Sequence, residues 1–196
     1  MRKKISAALL GLGLAGSSVL MTGGTATSHG YSDNPPSRQI LCAQGKVKNC
    51  GQIVWEPQSV EGPKGFPTRG PADGKICAGG DARWAPLDDP RGGKWPATKL
   101  SSGQSVNLTW RIPVPHSTTD FRYYLTKDGF DPTKPVTRAS LDLTPFHTVP
   151  YNGRQPSSSV SHPATLPQRS GKHVLVSVWT INDTGNAFYA CSDVEF

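Results

Sequence analysis

Five histidines stand in this 196-residue chain: His29, His116, His147, His162 and His173. A lone histidine is usually a surface or satisfied core residue, and His29 rises above that only because the residues ahead of it read as removable. As the first residue of a mature chain it offers two nitrogens, its α-amino group and its ring Nδ1, which can close a chelate on one metal ion. An unperturbed α-amino group has a pKa of about 8, so a metal displaces its proton near neutrality. A second imidazole completes a roughly planar three-nitrogen site, and among divalent first-row metals such donors favour copper most strongly. The bland alternative is a loose, functionless chelate of the kind an exported chain starting His-Gly-Tyr would form.

His116 is the candidate second imidazole. It lies just past a strand-like run ending at Ile112, within Pro113-Val114-Pro115-His116-Ser117-Thr118-Thr119, where a side chain can reach across the end of a sheet. Phe188 follows the turn-like Asn182-Asp183-Thr184-Gly185-Asn186-Ala187. An aromatic there is either core or the cap on the axial side of a metal.

The opening residues carry the order of a secretory signal: Arg2, Lys3 and Lys4, an apolar stretch over residues 5–21, then small polar residues to Ser28. A membrane anchor is the competing reading, but Gly11, Gly13, Gly16, Ser17 and Ser18 interrupt the stretch, which falls short of a span of about 20 apolar residues. Cleavage after Ser28 exposes His29; cleavage after Ala26 does not. The first leaves 168 residues, the size of one domain with a real core. Three of the 21 basic residues and none of the 14 acids leave with the leader, so the formal charge falls from +7 to +4. No Lys/Arg run is dense enough to follow a phosphate backbone, which argues against nucleic acid. Neither a membrane nor a second copy of the chain is an expected partner, and the protein is read as a secreted, extracellular monomer.

All four cysteines lie beyond the leader, and an even count in an exported chain reads as two disulfides. Of three possible pairings, Cys42–Cys50 and Cys77–Cys191 are favoured, since the first two share a short Gly- and Asn-containing loop. Zinc is the alternative use, but no C-x-x-C spacing is present.

The elements that must position these residues read as all-β. Val106, Leu108, Trp110 and Ile112 alternate with Asn107, Thr109 and Arg111, the pattern of a half-buried strand, and Phe121, Tyr123 and Leu125 repeat it. Residues 172–181 (KHVLVSVWTI) predict a central strand buried on both faces, and residues 188–196 a closing strand. Residues 29–100 are dense in Gly, Pro and short polar residues and predict a long disulfide-stapled loop region containing short helices. With no long 3.6-residue period, the expected fold is an antiparallel β-sandwich.

At these residues the sequence resembles the bacterial lytic polysaccharide monooxygenases, also called chitin-binding type 4 proteins (auxiliary activity family ten). The resemblance is carried by His29-Gly30-Tyr31 with Pro36-Ser37-Arg38, residues 55–62 (WEPQSVEG), Gly65-Phe66-Pro67 and Gly70-Pro71-Ala72-Asp73-Gly74. It continues through His116-Ser117-Thr118-Thr119, Thr137-Arg138-Ala139-Ser140, Leu143-Thr144-Pro145-Phe146, Arg169-Ser170-Gly171 and Asn186-Ala187-Phe188-Tyr189. It spans residues 29–196 in order.

The resemblance implies an immunoglobulin- or fibronectin-III-like sandwich with a flat face, on which His29 and His116 brace one copper ion. Phe188 then corresponds to the axial aromatic and Glu61 to the carboxylate that positions an oxygen species, against the alternative of an ordinary solvated glutamate. Trp55, Glu56, Pro57, Asp183 and Asn186 match positions that contact crystalline chitin, although Trp55 has a half-buried structural role as its alternative. The implied activity is C1-oxidising cleavage of β-1,4 bonds in chitin, using an external electron donor with hydrogen peroxide or oxygen. Cellulose stays open as a second substrate.

Two departures from the family pattern bear on the site's surroundings. Val114 stands where many relatives have alanine, and His147 where some have cysteine. No privileged carboxylate pair favours a glycoside hydrolase. The rival readings are a non-catalytic chitin-binding protein, which needs only the surface around Trp55, and an exported copper carrier, which needs only the histidines.

Overall fold

The computed structural model of the chain describes residues 28–196, so the leader reading falls outside the described residues apart from Ser28. Nine strands and one short α-helix follow in order: β1 (His29–Asn34), α1 (Arg38–Ala43), β2 (Glu61–Pro63), β3 (Thr98–Lys99), β4 (Ser105–Val114), β5 (Thr118–Leu125), β6 (His147–Pro150), β7 (Ser159–Thr165), β8 (Lys172–Ile181) and β9 (Asn186–Glu195). The strands form two sheets, and the helix lies between the first two strands. The smaller sheet runs β1-β4-β7; the larger runs β2-β9-β8-β5-β6, with β3 also on β9. All pairings are antiparallel except the two-residue β3–β9 contact.

Burial follows from the residue pattern. On β4 the alternation holds: Leu108, Trp110 and Ile112 are buried and face Phe121, Tyr123, Leu125, Leu175 and Trp179 of the larger sheet. The larger sheet is covered on both sides, which explains why β8 is a continuous apolar run. Leu175, Trp179 and Ile181 point to the smaller sheet, while Val174, Val176 and Val178 meet a second core built from the loop region. There Ile53, Val60, Phe66, Ile76, Trp84, Leu87 and Trp95 form a third layer.

That third layer corrects the reading of β5 as half-buried. Tyr124 is fully buried on the far face, edge-on to Phe66 at 5.1 Å. The expectation of loop from His29 onward also needs correction, because β1 is a strand whose inward residues are Gly30 and Ser32. Its burial alternates, yet without large apolar side chains the alternation is silent in the sequence. Short helical segments do occur in the loop region, at α1 and as 3-10 turns over Gly51–Val54, Ala82–Leu87 and Arg91–Gly93.

Both favoured disulfides are present. Cys42–Cys50 closes α1 onto the 51–54 turn, and Cys77–Cys191 ties the loop region to β9 across 114 positions. Buried Arg38 adds a second tie, bonding Asp193 at 2.7 Å and the Leu87 carbonyl at 2.8 Å beneath the Trp95 ring. Among the described residues no helix is long and apolar enough to cross a membrane.

Candidate metal centre

One end of the sandwich gathers strand ends from both sheets. The register of β1 on β4 sets His29 opposite Val114. Two residues further on, His116 occupies the connection from β4 to β5, which carries the chain from the smaller sheet to the larger one. Antiparallel partners lie about 4.5–5.5 Å apart between Cα atoms, so this register brings the two candidate imidazoles to the same sheet end.

The connection holding His116 is pinned from several sides. The Thr118 hydroxyl donates to the His116 carbonyl at 2.9 Å and accepts from the Trp179 indole N–H at 2.7 Å. Ser117 donates to the Gly153 carbonyl, and Gln155 to that of Pro115. His116 Nε2 lies 2.8 Å from Asp183 Oδ1. A carboxylate only accepts, so the ring donates from Nε2 in this arrangement. A metal taken up through that nitrogen would displace Asp183, whereas one held through Nδ1 would leave the contact in place.

His29 is seated by its neighbour. The Gly30 N–H donates to the Gln58 carbonyl at 3.0 Å, joining β1 to the 55–61 segment. Gly30 has no room for a side chain, since a Cβ there would stand 2.9 Å from the Trp179 ring. Trp179 in turn stacks on Phe188, with centroids 4.9 Å apart. Phe188 is fully buried, pairs with Glu61 across β2 and β9, and lines the same cavity as His29. It is therefore core and cavity wall at once.

Glu61 is oriented rather than loose: the Asn186 amide donates to its Oε1 at 2.8 Å. Trp55 is 82% exposed, which rules out the half-buried role. Glu56 is exposed beside it, Pro57 is partly covered, and Asp183 and Asn186 are exposed on the turn into β9. The remaining histidines belong to strands β6, β7 and β8. His162 is buried with Nδ1 2.6 Å from the Tyr123 hydroxyl, and burial pushes its pKa down to about 4. His173 is buried against Thr126, and His147 sits on β6 with its pKa lowered by burial.

Among the described residues no group of three or more His, Cys, Asp or Glu side chains could hold a metal. The donor chemistry at this end is two imidazoles, and a third nitrogen must come from the main chain of His29. In the chain described that nitrogen is in the peptide bond from Ser28, which is buried and lines the same cavity. The residues fit a copper brace once Ser28 is removed, and not before.

Residues 29–194 match the profile described as "Lytic polysaccharide mono-oxygenase, cellulose-degrading". The chain belongs to the lytic polysaccharide mono-oxygenase family. A solved lytic polysaccharide monooxygenase of auxiliary activity family ten from Streptomyces lividans is 55% identical, with a TM-score of 0.84 over 86% of this chain and all of that one. A Bacillus amyloliquefaciens protein, described as a complex with Cu(I) after photoreduction, is 34% identical, with a TM-score of 0.79 over 85% of this chain and 99% of that one. The GlcNAc-binding protein A of Shewanella oneidensis is 41% identical over all of this chain, which spans 41% of that relative's length. The chain thus covers about two fifths of that longer family member.

Sequence reasoning missed part of the cavity that His29 and Phe188 line. Ser59, Asp81 and Arg83 also line it. Asp81 carries a local signal, a helix N-cap two residues before Arg83, but nothing in the sequence links it to His29. Trp179 and Thr118, which hold the Phe188 and His116 segments, read only as strand residues.

Proposed function

We propose that the mature chain, beginning at His29 after removal of a secretory leader, is an extracellular copper-dependent oxidoreductase that cleaves β-1,4 bonds in crystalline chitin at C1. The observation that carries this is the convergence of His29 and His116 at one sheet end, beside buried Phe188 and oriented Glu61, in a chain of this family. Chitin is favoured by the 55–61 segment and by relatives named for binding N-acetylglucosamine; cellulose remains the second substrate to assay.

When bound, copper supplies the one-electron redox chemistry that links an external reductant and peroxide or oxygen to oxidation of a C–H bond. The chain's residues do the rest. The His29 amine and ring, with the His116 ring, would hold the ion. The buried Phe188 ring forms an apolar wall of the cavity beside His29 and would keep water from that wall. Glu61, fixed by Asn186, presents an acceptor oxygen to a proton of the co-substrate. Val114, 41% exposed opposite His29, narrows the approach. Trp55 offers a ring face to a sugar, while Glu56, Asp183 and Asn186 supply hydrogen bonds that set the chain's register. Hydroxylation at C1 makes the glycosidic bond collapse, leaving a lactone that hydrates to an aldonic acid.

The test is mass spectrometry of soluble sugars from β-chitin treated with copper-loaded mature protein and ascorbate. Aldonic-acid oligosaccharides, missing from a metal-stripped sample and from His116→Ala, are the expected result. Retention on chitin without oxidised products would leave a binding protein instead.

A further inference from the structure

The cavity beside His29, about 390 Å³, is not symmetrical in its chemistry. Glu56, Ser59 and Glu61 line it from the 55–61 segment, and Asp81 and Arg83 from the start of the 82–87 turn. Three carboxylates against one guanidinium repel anionic small molecules and leave hydrogen-bond acceptors in excess. A sugar chain brings hydroxyl donors to those acceptors. Chitin, unlike cellulose, also brings an acetamido carbonyl, which needs a donor from the protein.

Few donors are available. One N–H of the Asn186 amide is taken by Glu61, and the Ser59 hydroxyl is shielded from the surface. Arg83 is exposed, yet its guanidinium is held in place. Its Nε and Nη2 donate to Asp81 Oδ2 at 2.9 and 2.6 Å, and its backbone N–H donates to Asp81 Oδ1 at 2.9 Å. The guanidinium also stacks over the ring of buried Trp84, 4.9 Å from its centroid. Among the described residues Nη1 has no hydrogen-bond partner. A planar cation so fixed loses little rotamer freedom on binding, and its free N–H groups suit a carbonyl oxygen.

We propose that Arg83, held by Asp81, donates to the acetamido carbonyl of a chitin unit beside the metal centre and thereby favours chitin over cellulose. This rests on the chitin reading above. Arg83 is a specificity-determining residue on this account, and neither it nor Asp81 stood out in the sequence.

The test measures depletion of copper-loaded mature protein, held without reductant, by β-chitin, by the same chitin after deacetylation, and by cellulose. Arg83→Ala should weaken retention on chitin about fivefold, the size of one exposed charge-assisted hydrogen bond, while retention on the other two stays within about twofold. Asp81→Ala, which frees the guanidinium, should lower chitin retention in the same direction. Equal weakening on all three polymers, or none on any, overturns the assignment of Arg83 and leaves the chitin reading standing. Failure of the unsubstituted protein to be retained by chitin overturns both together.

Discussion

Substituting Gly30 by alanine tests whether the seat of His29 is as rigid as the packing implies. The added Cβ would stand 2.9 Å from Cζ3 and 3.1 Å from Cε3 of Trp179, and 3.3 Å from the Arg111 carbonyl. Comfortable carbon contacts lie at about 3.5–4.0 Å, so something must give by about 0.6 Å. Trp179 cannot retreat: it is fully buried, stacks on Phe121 and Phe188, and donates from its indole to Thr118. The strand β1 must move instead, and His29 moves with it. Overpacking of this kind costs about 1–3 kcal/mol, and a domain of this size loses about 2–4 °C of melting temperature per kcal/mol. Metal ligands tolerate displacements of only about 0.2 Å, so copper affinity should fall about tenfold or more. Thermal unfolding of the metal-free protein and competitive copper titration read the two effects separately. Gly185→Ala is the stability control, since a Cβ there meets nothing within 4 Å. A Gly30→Ala protein that melts like the control and binds copper like the parent would refute the reasoning.

Three further outcomes follow from the same packing. Trp55→Ala, at an 82% exposed position, should change stability by less than about 0.5 kcal/mol while lowering retention on chitin about tenfold, read by melting and by depletion. Replacing Cys77 and Cys191 by alanine should cost about 4.8 kcal/mol by loop entropy across 114 positions, against about 2.5 kcal/mol for Cys42 and Cys50 across 8; urea unfolding that ranks them the other way contradicts the account. Burial raises the Asp88 carboxyl to about 6 even though it accepts the Ala78 N–H, so the folded state holds its proton more tightly than the unfolded chain. That contribution is full below about pH 4 and is lost as pH rises through about 6. Asp88→Asn should therefore unfold at higher urea than the parent at pH 7 and at the same urea near pH 4.

How much of this could be read in advance depended on side-chain size and on distance along the chain. β4 and β8 announce themselves because Leu108, Trp110 and Ile112, or the run from Val174 to Ile181, are large apolar residues at strand spacing. β1 does not, because Gly30 and Ser32 take the inward positions and the tight approach to Trp179 demands their smallness. β5 misleads because its outer face meets a third layer folded from residues far away in sequence. At the candidate site, His29 and His116 stood out from the chemistry of an amino-terminal histidine and from the family resemblance, and the β1–β4 register places them at one sheet end. The contact of His116 with Asp183 joins positions 67 apart, the Glu61–Asn186 bond joins positions 125 apart, and the Asp81–Arg83 wall meets His29 only in three dimensions, so no local pattern encodes them.

The central claim is that two imidazoles and the freed amine of His29 hold one copper ion. Copper(II) titration followed by electron paramagnetic resonance, on chain beginning at His29 and on chain retaining Ser28, tests it most directly. The account predicts one tight ion with an axial spectrum and coupling to three nitrogens in the first, and loss of that spectrum in the second and in His116→Ala. Equal affinity and the same spectrum with Ser28 in place would contradict it, because the amine would then have no part in the site.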